Sequence, residues 1–421
     1  YGDYTKTATY PFMPLTVEID NVTLKSGTQT LKSGFIGGYA SGANTVNLFG
    51  CTVETGVVIG YNKDQSEIGS FAGDLNGTLV NCVSSADVYG VGAVGGLVGM
   101  KGQSMGNFSV IDCAFHGTVT ATGNYAGGIV GSGYNVTSAP NTPCVTIQNC
   151  WSDGTLTGAD AVGGLFGGEP VSKQCWANGI GYIQNNYFSG TVPAPTATQK
   201  IGGIIGYMNS LDRYNLIGNN YALETCGAER GIGAVGAVDS TTVQYGRKDD
   251  PTGAGAAMLS RNVTAAQLAD GTILAGLNAG VNASKWVQTG STPLVDTEKH
   301  IAYLTIAGYP TVCRGGASLD LSKTAVVAIY NDGTTAGVDL KQVTFTGFDS
   351  STRGYSTVTA SYAGHAVLFE VQITSNADYP GDVSSAKEAV SAASYSYAMA
   401  DANSSDAVKV LVEKQIAALN L

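Results

Sequence analysis

The sequence is poor in charge. Only 13% of its 421 residues are Asp, Glu, Lys or Arg, with 32 acids against 21 bases. A net charge of −11 with so few cations argues against nucleic-acid binding, which needs clustered Lys and Arg. No run of 18 apolar residues occurs, so no membrane insertion is expected. Three histidines (His116, His300, His365) and no Gly-x-Ser-x-Gly elbow leave nucleophilic hydrolysis without its parts. No Cys-x-x-Cys pair or Cys/His cluster has zinc spacing, so neither a metal nor a cofactor is expected. The low charge does not signal disorder, because 43% of the residues are hydrophobic. Tyr1-Gly2-Asp3-Tyr4 is no signal peptide, and any such peptide is expected to have been removed or to lie outside this sequence.

Glycine and tyrosine are abundant, at 58 and 22 residues, which suits short strands and tight turns. The glycines repeat. Val94-Gly95-Gly96-Leu97-Val98-Gly99 returns as Ala126-Gly127-Gly128-Ile129-Val130-Gly131, as Val162-Gly163-Gly164-Leu165-Phe166-Gly167 and as Ile201-Gly202-Gly203-Ile204-Ile205-Gly206. Degenerate copies stand at Ile36–Tyr39, Ile68–Phe71 and Ile232–Gly236. A second string keeps phase with the first: Leu79-Val80-Asn81-Cys82, Val110-Ile111-Asp112-Cys113, Ile147-Gln148-Asn149-Cys150, Ile183-Gln184-Asn185-Asn186 and Ile217-Gly218-Asn219-Asn220. Short strand-like runs recurring about every 30 residues suit one coil of a right-handed parallel β-helix, whose coils bury their apolar faces only by stacking. About seven coils, at roughly 4.8 Å each, would make a rod on the order of 35 Å long.

This repeat resembles the bacterial GLUG motif, which places an Asn-Cys-aromatic string before Gly-Gly-Leu-Val-Gly, as at Asn149-Cys150-Trp151 and Gly163–Gly167. The resemblance covers roughly residues 30–240. It implies a secreted or surface-anchored bacterial protein, either an adhesin or a non-catalytic part of an IgA-protease-like enzyme. It supplies no catalytic set to carry over.

The expected organisation is all-β, with a β-helix over 1–245 and a helix-plus-hairpin cap over 246–312. Thr264-Ala265-Ala266-Gln267 reads as a capping box opening a helix through about Leu277. The cap is expected to cover the open end of the stack, where strand edges would otherwise be unpaired. From 313 to 378 the period becomes two: Val367, Phe369, Val371 and Ile373 alternate with Ala366, Leu368, Glu370 and Gln372. Several such runs resemble a small bacterial Ig-like sandwich of the disulfide-free type. Residues 379–421 switch to helical spacing and either pack on that module or begin a further domain, the second being preferred.

Cys51, Cys82, Cys113 and Cys150 share one coil position and read as a ladder of free thiols. Cys144 and Cys175 lie outside that phase and are the best disulfide candidates, with Cys226 and Cys313 a second choice. The Asn81, Asp112, Asn149, Asn185, Asn219 column reads as an amide ladder serving turn backbone. Two Gly-x-Gly-x-x-Gly matches, Gly90–Gly95 and Gly231–Gly236, fall inside the repeat and are not dinucleotide fingerprints. Trp151, Tyr187 and Tyr221 form either a platform for sugar rings or core, and core is the preferred reading.

The expected function is a non-catalytic adhesin or rigid stalk at the cell surface, binding a host or matrix glycan or protein. Binding is placed on the longest departures from the repeat, Ser132–Pro143 and Glu169–Gly179, which flank Trp151, with Trp151, Glu169, Lys173, Trp176 and Tyr187 as contacts and Cys144–Cys175 as a tether; the alternative is that both are insertions without a ligand. The competing reading is a glycosidase or lyase using two of Asp74, Asp112, Asp153, Asp160 and Glu169.

Overall fold

The computed structural model describes residues 16–20, 23–24, 45–60, 67–101, 108–133, 145–169, 182–196, 198–208, 216–235 and 261–374. The degenerate copy at 36–39 and the 379–421 segment lie outside these residues. The described residues form two compact units. One holds those up to Thr305 with Val327–Val338 and Tyr362–Ala366; the other holds Ile306–Val326, Asp339–Ser361 and those from Val367.

In the first unit each repeat is a turn of short strands. One reads Gly77–Val80, Val83–Ser84, Asp87–Gly90, Ala93–Gly95 and Val98–Lys101. The next reads Phe108–Ile111, Ala114–Phe115, Thr118–Ala121, Tyr125–Gly127 and Val130–Ser132. Every strand pairs in parallel with its counterpart one repeat away. The stacks continue into sheets of 13, four, five and six strands. This pattern is consistent with a parallel β-helix. The sequence phase is kept residue by residue, with Gly95, Gly127, Gly163 and Gly202 in one register column. The interior is apolar, filled by Leu79, Val88, Leu97, Phe115, Ile129, Leu165, Phe166 and Ile204 among others, all fully buried.

The paired glycines are set by crowding. A Cβ at Gly128 would stand 2.2 Å from the carbonyl oxygen of Gly164 and 2.7 Å from Ser152 Oγ; one at Gly127 would meet Val130 O at 2.0 Å. Neighbouring coils approach backbone to backbone at this bend, which leaves no room for a side chain.

A second bend follows the first strand of each coil. Gly50, Asn81, Asp112, Asn149, Asn185 and Asn219 all hold φ between 53° and 60°, the left-handed region that Gly, Asn and Asp tolerate best. The residue after each bend turns inward. There Cys82, Cys113 and Cys150 thiols donate to the carbonyl two residues back, at 3.3, 3.1 and 3.1 Å. In later coils Asn186 Nδ2 and Asn220 Nδ2 donate to Ile147 O and Ile183 O, at 3.0 and 2.7 Å. The cysteine column is therefore a row of buried hydrogen-bond donors. Cys51, Cys82, Cys113, Cys150, Cys226 and Cys313 are all free, so Cys226 and Cys313 do not pair.

The segment after the repeats departs from expectation. Arg261–Val263 does add a strand beside Leu216–Leu223. The capping box is present, with Gln267 N donating to Thr264 Oγ1 at 3.1 Å, but the helix ends at Ala269. Gly271 at φ 79° breaks it, and a second short helix runs Leu274–Leu277. The segment then packs along the side of the stack, where Ser284 meets Asn149 and Asp112. Downstream, Val312–Arg314, His365–Thr374, Gly354–Tyr362 and Thr344–Thr346 form a four-stranded sheet, and Phe369, Val371 and Ile373 are buried as their alternation implied.

Gly128→Ala should cost about 3 kcal/mol or more, because backbone rather than a flexible side chain must give way. A urea midpoint within error of the parent would contradict this account of the motif.

Candidate functional site

The residues around the left-handed bend form three parallel columns on the outer face of the largest sheet, and each column is covered differently. Phe49, Val80, Ile111, Gln148 and Gln184 are in register just before the bend. The apolar three are buried in a cluster with Ala302 and Ile329. At the polar end of the column, Gln184 Nε2 donates to Val281 O at 2.5 Å.

After the bend, Trp151, Tyr187 and Tyr221 align. They point outward, since Phe115, Ser152, Phe188 and Ala222 of the next column are the ones turned into the coil. Trp151 and Tyr187 stack at 6.3 Å with planes 15° apart. This outward platform is occupied by the chain itself. Trp286 packs edge-on at 5.8 Å from Trp151 and tilted at 5.7 Å from Tyr187. Val263, Leu268, Ile273 and Leu277 complete the cluster. Tyr187 is buried, its hydroxyl donates to Pro293 O at 2.9 Å, and burial pushes its ionisation well above the usual range.

The bend column itself carries a strap that crosses the rungs. Asn219 Nδ2 donates to Ala279 O at 3.4 Å and to Asn185 Oδ1 at 3.1 Å. Asn149 Nδ2 donates to Asn282 O at 3.1 Å and Ser284 Oγ at 3.0 Å, while Ser284 N donates back to Asn149 Oδ1 at 3.2 Å. One rung further, Ser284 Oγ donates to Asp112 Oδ1 at 2.6 Å and His300 Nε2 lies 2.9 Å from Asp112 Oδ2. Asn282 N donates to Gly364 O and Asn282 Oδ1 accepts from Ala366 N, at 3.1 and 2.8 Å. This brings the buried His365 close enough to Asp112 and His300 for both to influence it.

A serine, a histidine and an aspartate thus meet, but not as a nucleophilic relay. The serine proton is directed at the carboxylate, and the imidazole bonds the other carboxylate oxygen rather than the serine. The arrangement anchors; it does not activate Ser284. Burial pushes His365 down to about 4.

The candidate acids stand at separate places around the coil. Asp74 is fully buried in the strand Ala72–Leu75. Asp112 is the anchor at the bend. Asp153 is exposed and 2.8 Å from His116 Nδ1, which faces solvent as expected; Asp160 pairs with Lys200 at 3.2 Å. Glu169 ends the strand Phe166–Glu169, but its side chain, like Lys173, Trp176, Cys144 and Cys175, lies outside what the structure describes. Trp151 is half-buried. Sequence reasoning passed over Ser284, Trp286, His300 and His365 as partners of this face. Two signals pointed to them: the one acid in a column of Asn, and the change from Phe49, Val80, Ile111 to Gln148, Gln184 along one column.

Residues 314–373 match the family model of the bacterial Ig-like domain (group 3). No curated protein matches the chain. A structure described as "Solution structure of a putative surface protein" is 28% identical over 19% of this chain and 94% of its own, with a TM-score of 0.14. Among the described residues, no helix is long and apolar enough to cross a membrane, and no three His, Cys, Asp or Glu are grouped to hold a metal.

Because the unfolded chain protonates His365 near pH 6.5 and the folded unit only near 4, stability falls as pH drops between these values, by up to about 3 kcal/mol from this residue. His365→Gln should flatten the acid limb of a urea-midpoint titration by that amount; curves parallel to the parent's would remove His365 as the cause.

Proposed function

We propose that this chain is part of an extracellular or surface-displayed bacterial protein and serves as an adhesin or rigid stalk. The observation that carries this reading is the in-register parallel stack followed in sequence by a bacterial Ig-like domain. On this reading residues 30–240 are GLUG-like repeats forming a right-handed β-helix of about seven coils. Stacked coils resist bending because each rung is hydrogen-bonded to the next along its length.

A non-catalytic role is supported by the state of the acids. Asp112, Asp153 and Asp160 each have a cationic or imidazole partner and sit at different positions around the coil. A paired-carboxylate glycosidase needs two of them facing one cleft about 5–10 Å apart.

Ligand contact is assigned to the insertions, because loops rather than ladders carry function on a repeat scaffold. Glu169, Lys173 and Trp176 would supply charge and an aromatic surface for a glycan or protein, with Cys144–Cys175 stiffening the pair of loops.

Immobilised on glycan and matrix-protein arrays, the chain should capture a ligand, and Trp176→Ala should weaken that capture at least tenfold without changing the urea midpoint. Release of oligosaccharide from a polysaccharide panel, abolished in an acid-to-amide variant, would instead establish an enzyme. The tether has its own check. Denatured without reductant, the chain should titrate six thiols of its eight cysteines, and eight would exclude the bridge.

A further inference from the structure

The His300 ring is held between two acceptors. Its Nδ1 is 2.8 Å from the carbonyl oxygen of Glu298, and its Nε2 is 2.9 Å from Asp112 Oδ2. A carbonyl can only accept, and an ionised carboxylate can only accept. Asp112 as a carboxylate presents one oxygen to Ser284 Oγ and the other to His300. Both ring nitrogens therefore carry protons, and His300 is an imidazolium. A neutral ring leaves one nitrogen lone pair facing an oxygen.

The place of this pair matters. Five bend positions of the column are Gly or Asn and only Asp112 is charged. It lies where the strap, having crossed the rungs of Asn219 and Asn149, meets a rung through both Ser284 and His300, just before Ala302 joins the cover of Phe49, Val80 and Ile111. The pair is largely shielded, with side-chain exposures of 18% for His300 and 1% for Asp112.

We propose that His300 is the proton-sensing part of a latch: as an imidazolium it clamps the strap of residues 279–300 onto the Asp112 rung, and loss of its proton frees the strap from that rung.

The surrounding charges fit this assignment. Asp112 faces the ring from the stack and Asp296 from the strap, and both favour the cation; His365, from the start of its strand, is the opposing neighbour. Asp296 is itself paired with Lys285 at 2.6 Å, and Asn331 accepts from His300 N at 3.2 Å. Burial acts against the proton, yet the balance raises the group from its ordinary value. With the folded pKa raised, the latch is fully closed below about pH 6.5 and weakens as pH rises through the raised value.

Hydrogen exchange read by mass spectrometry on the whole chain tests this, with rates corrected for the intrinsic pH dependence of exchange. Protection of amides in 279–300 should fall at least tenfold between pH 6 and pH 9, while that of Thr146–Gln148 in the stack stays constant. Asp112→Asn keeps a residue suited to the left-handed bend, as at the neighbouring rungs, so it should fold. In that variant and in His300→Gln, protection of 279–300 should already be reduced at pH 6 and should not vary with pH. Constant protection in the parent over this range, or a parent-like pH dependence in both variants, would overturn the latch.

Discussion

Six successive coils among the described residues turn through a left-handed backbone at the same corner, and most of the structure depends on that. A non-glycine residue held there costs roughly 1–2 kcal/mol unless its side chain tolerates the conformation, which restricts the column to Gly, Asn and Asp. The turn also sets what lies on either side. The residue after the turn faces the interior, where thiols in the early coils donate to the carbonyl two residues back and amides in the later ones donate to a carbonyl of the preceding coil.

The same corner organises the outer face. Its Asn and Asp side chains offer hydrogen-bonding groups rung by rung, and the strap meets those of Asn219, Asn149 and Asp112 in turn. Where the neighbouring column is apolar, at Phe49, Val80 and Ile111, the cover is apolar; where it is polar, at Gln184, the cover is main chain. Aromatic rings beyond the corner receive Trp286. The single charged rung fixes the register of the strap more sharply than another amide would, because shifting it would strand a buried charge. The face that looks best suited to stacking on sugar rings is thus already filled, which leaves the insertions as the place for a ligand.

Much of this was legible in the sequence because stacked coils repeat their identities in register. Gly95, Gly127, Gly163 and Gly202 announced their alignment directly, although only the close backbone approach at Gly128 explains why no other residue serves. The orientation of Trp151 was not legible. Alternation counted from the buried Ile147 places residue 151 inside. The left-handed Asn149 shifts the alternation by one, as a bulge does, so Cys150 turns in and Trp151 out. Asp112 was seen as a rung, but its partners lie 172 and 188 residues away, beyond any local pattern. The helix expected to run from Thr264 to about Leu277 failed at Gly271, whose left-handed φ outweighed the apolar spacing.

The most direct test of the corner compares two substitutions at Asn185, whose φ is 58°. Both Asn185→Gly and Asn185→Ala delete the amide, so their difference isolates the backbone. At an ordinary position alanine is the more stabilising of the two, by about 0.5–1 kcal/mol. Here the urea midpoints should show the reverse, with the glycine variant more stable by about 1 kcal/mol. An alanine variant as stable as the glycine variant, or more so, would contradict the left-handed corner as the constraint on which the fold rests.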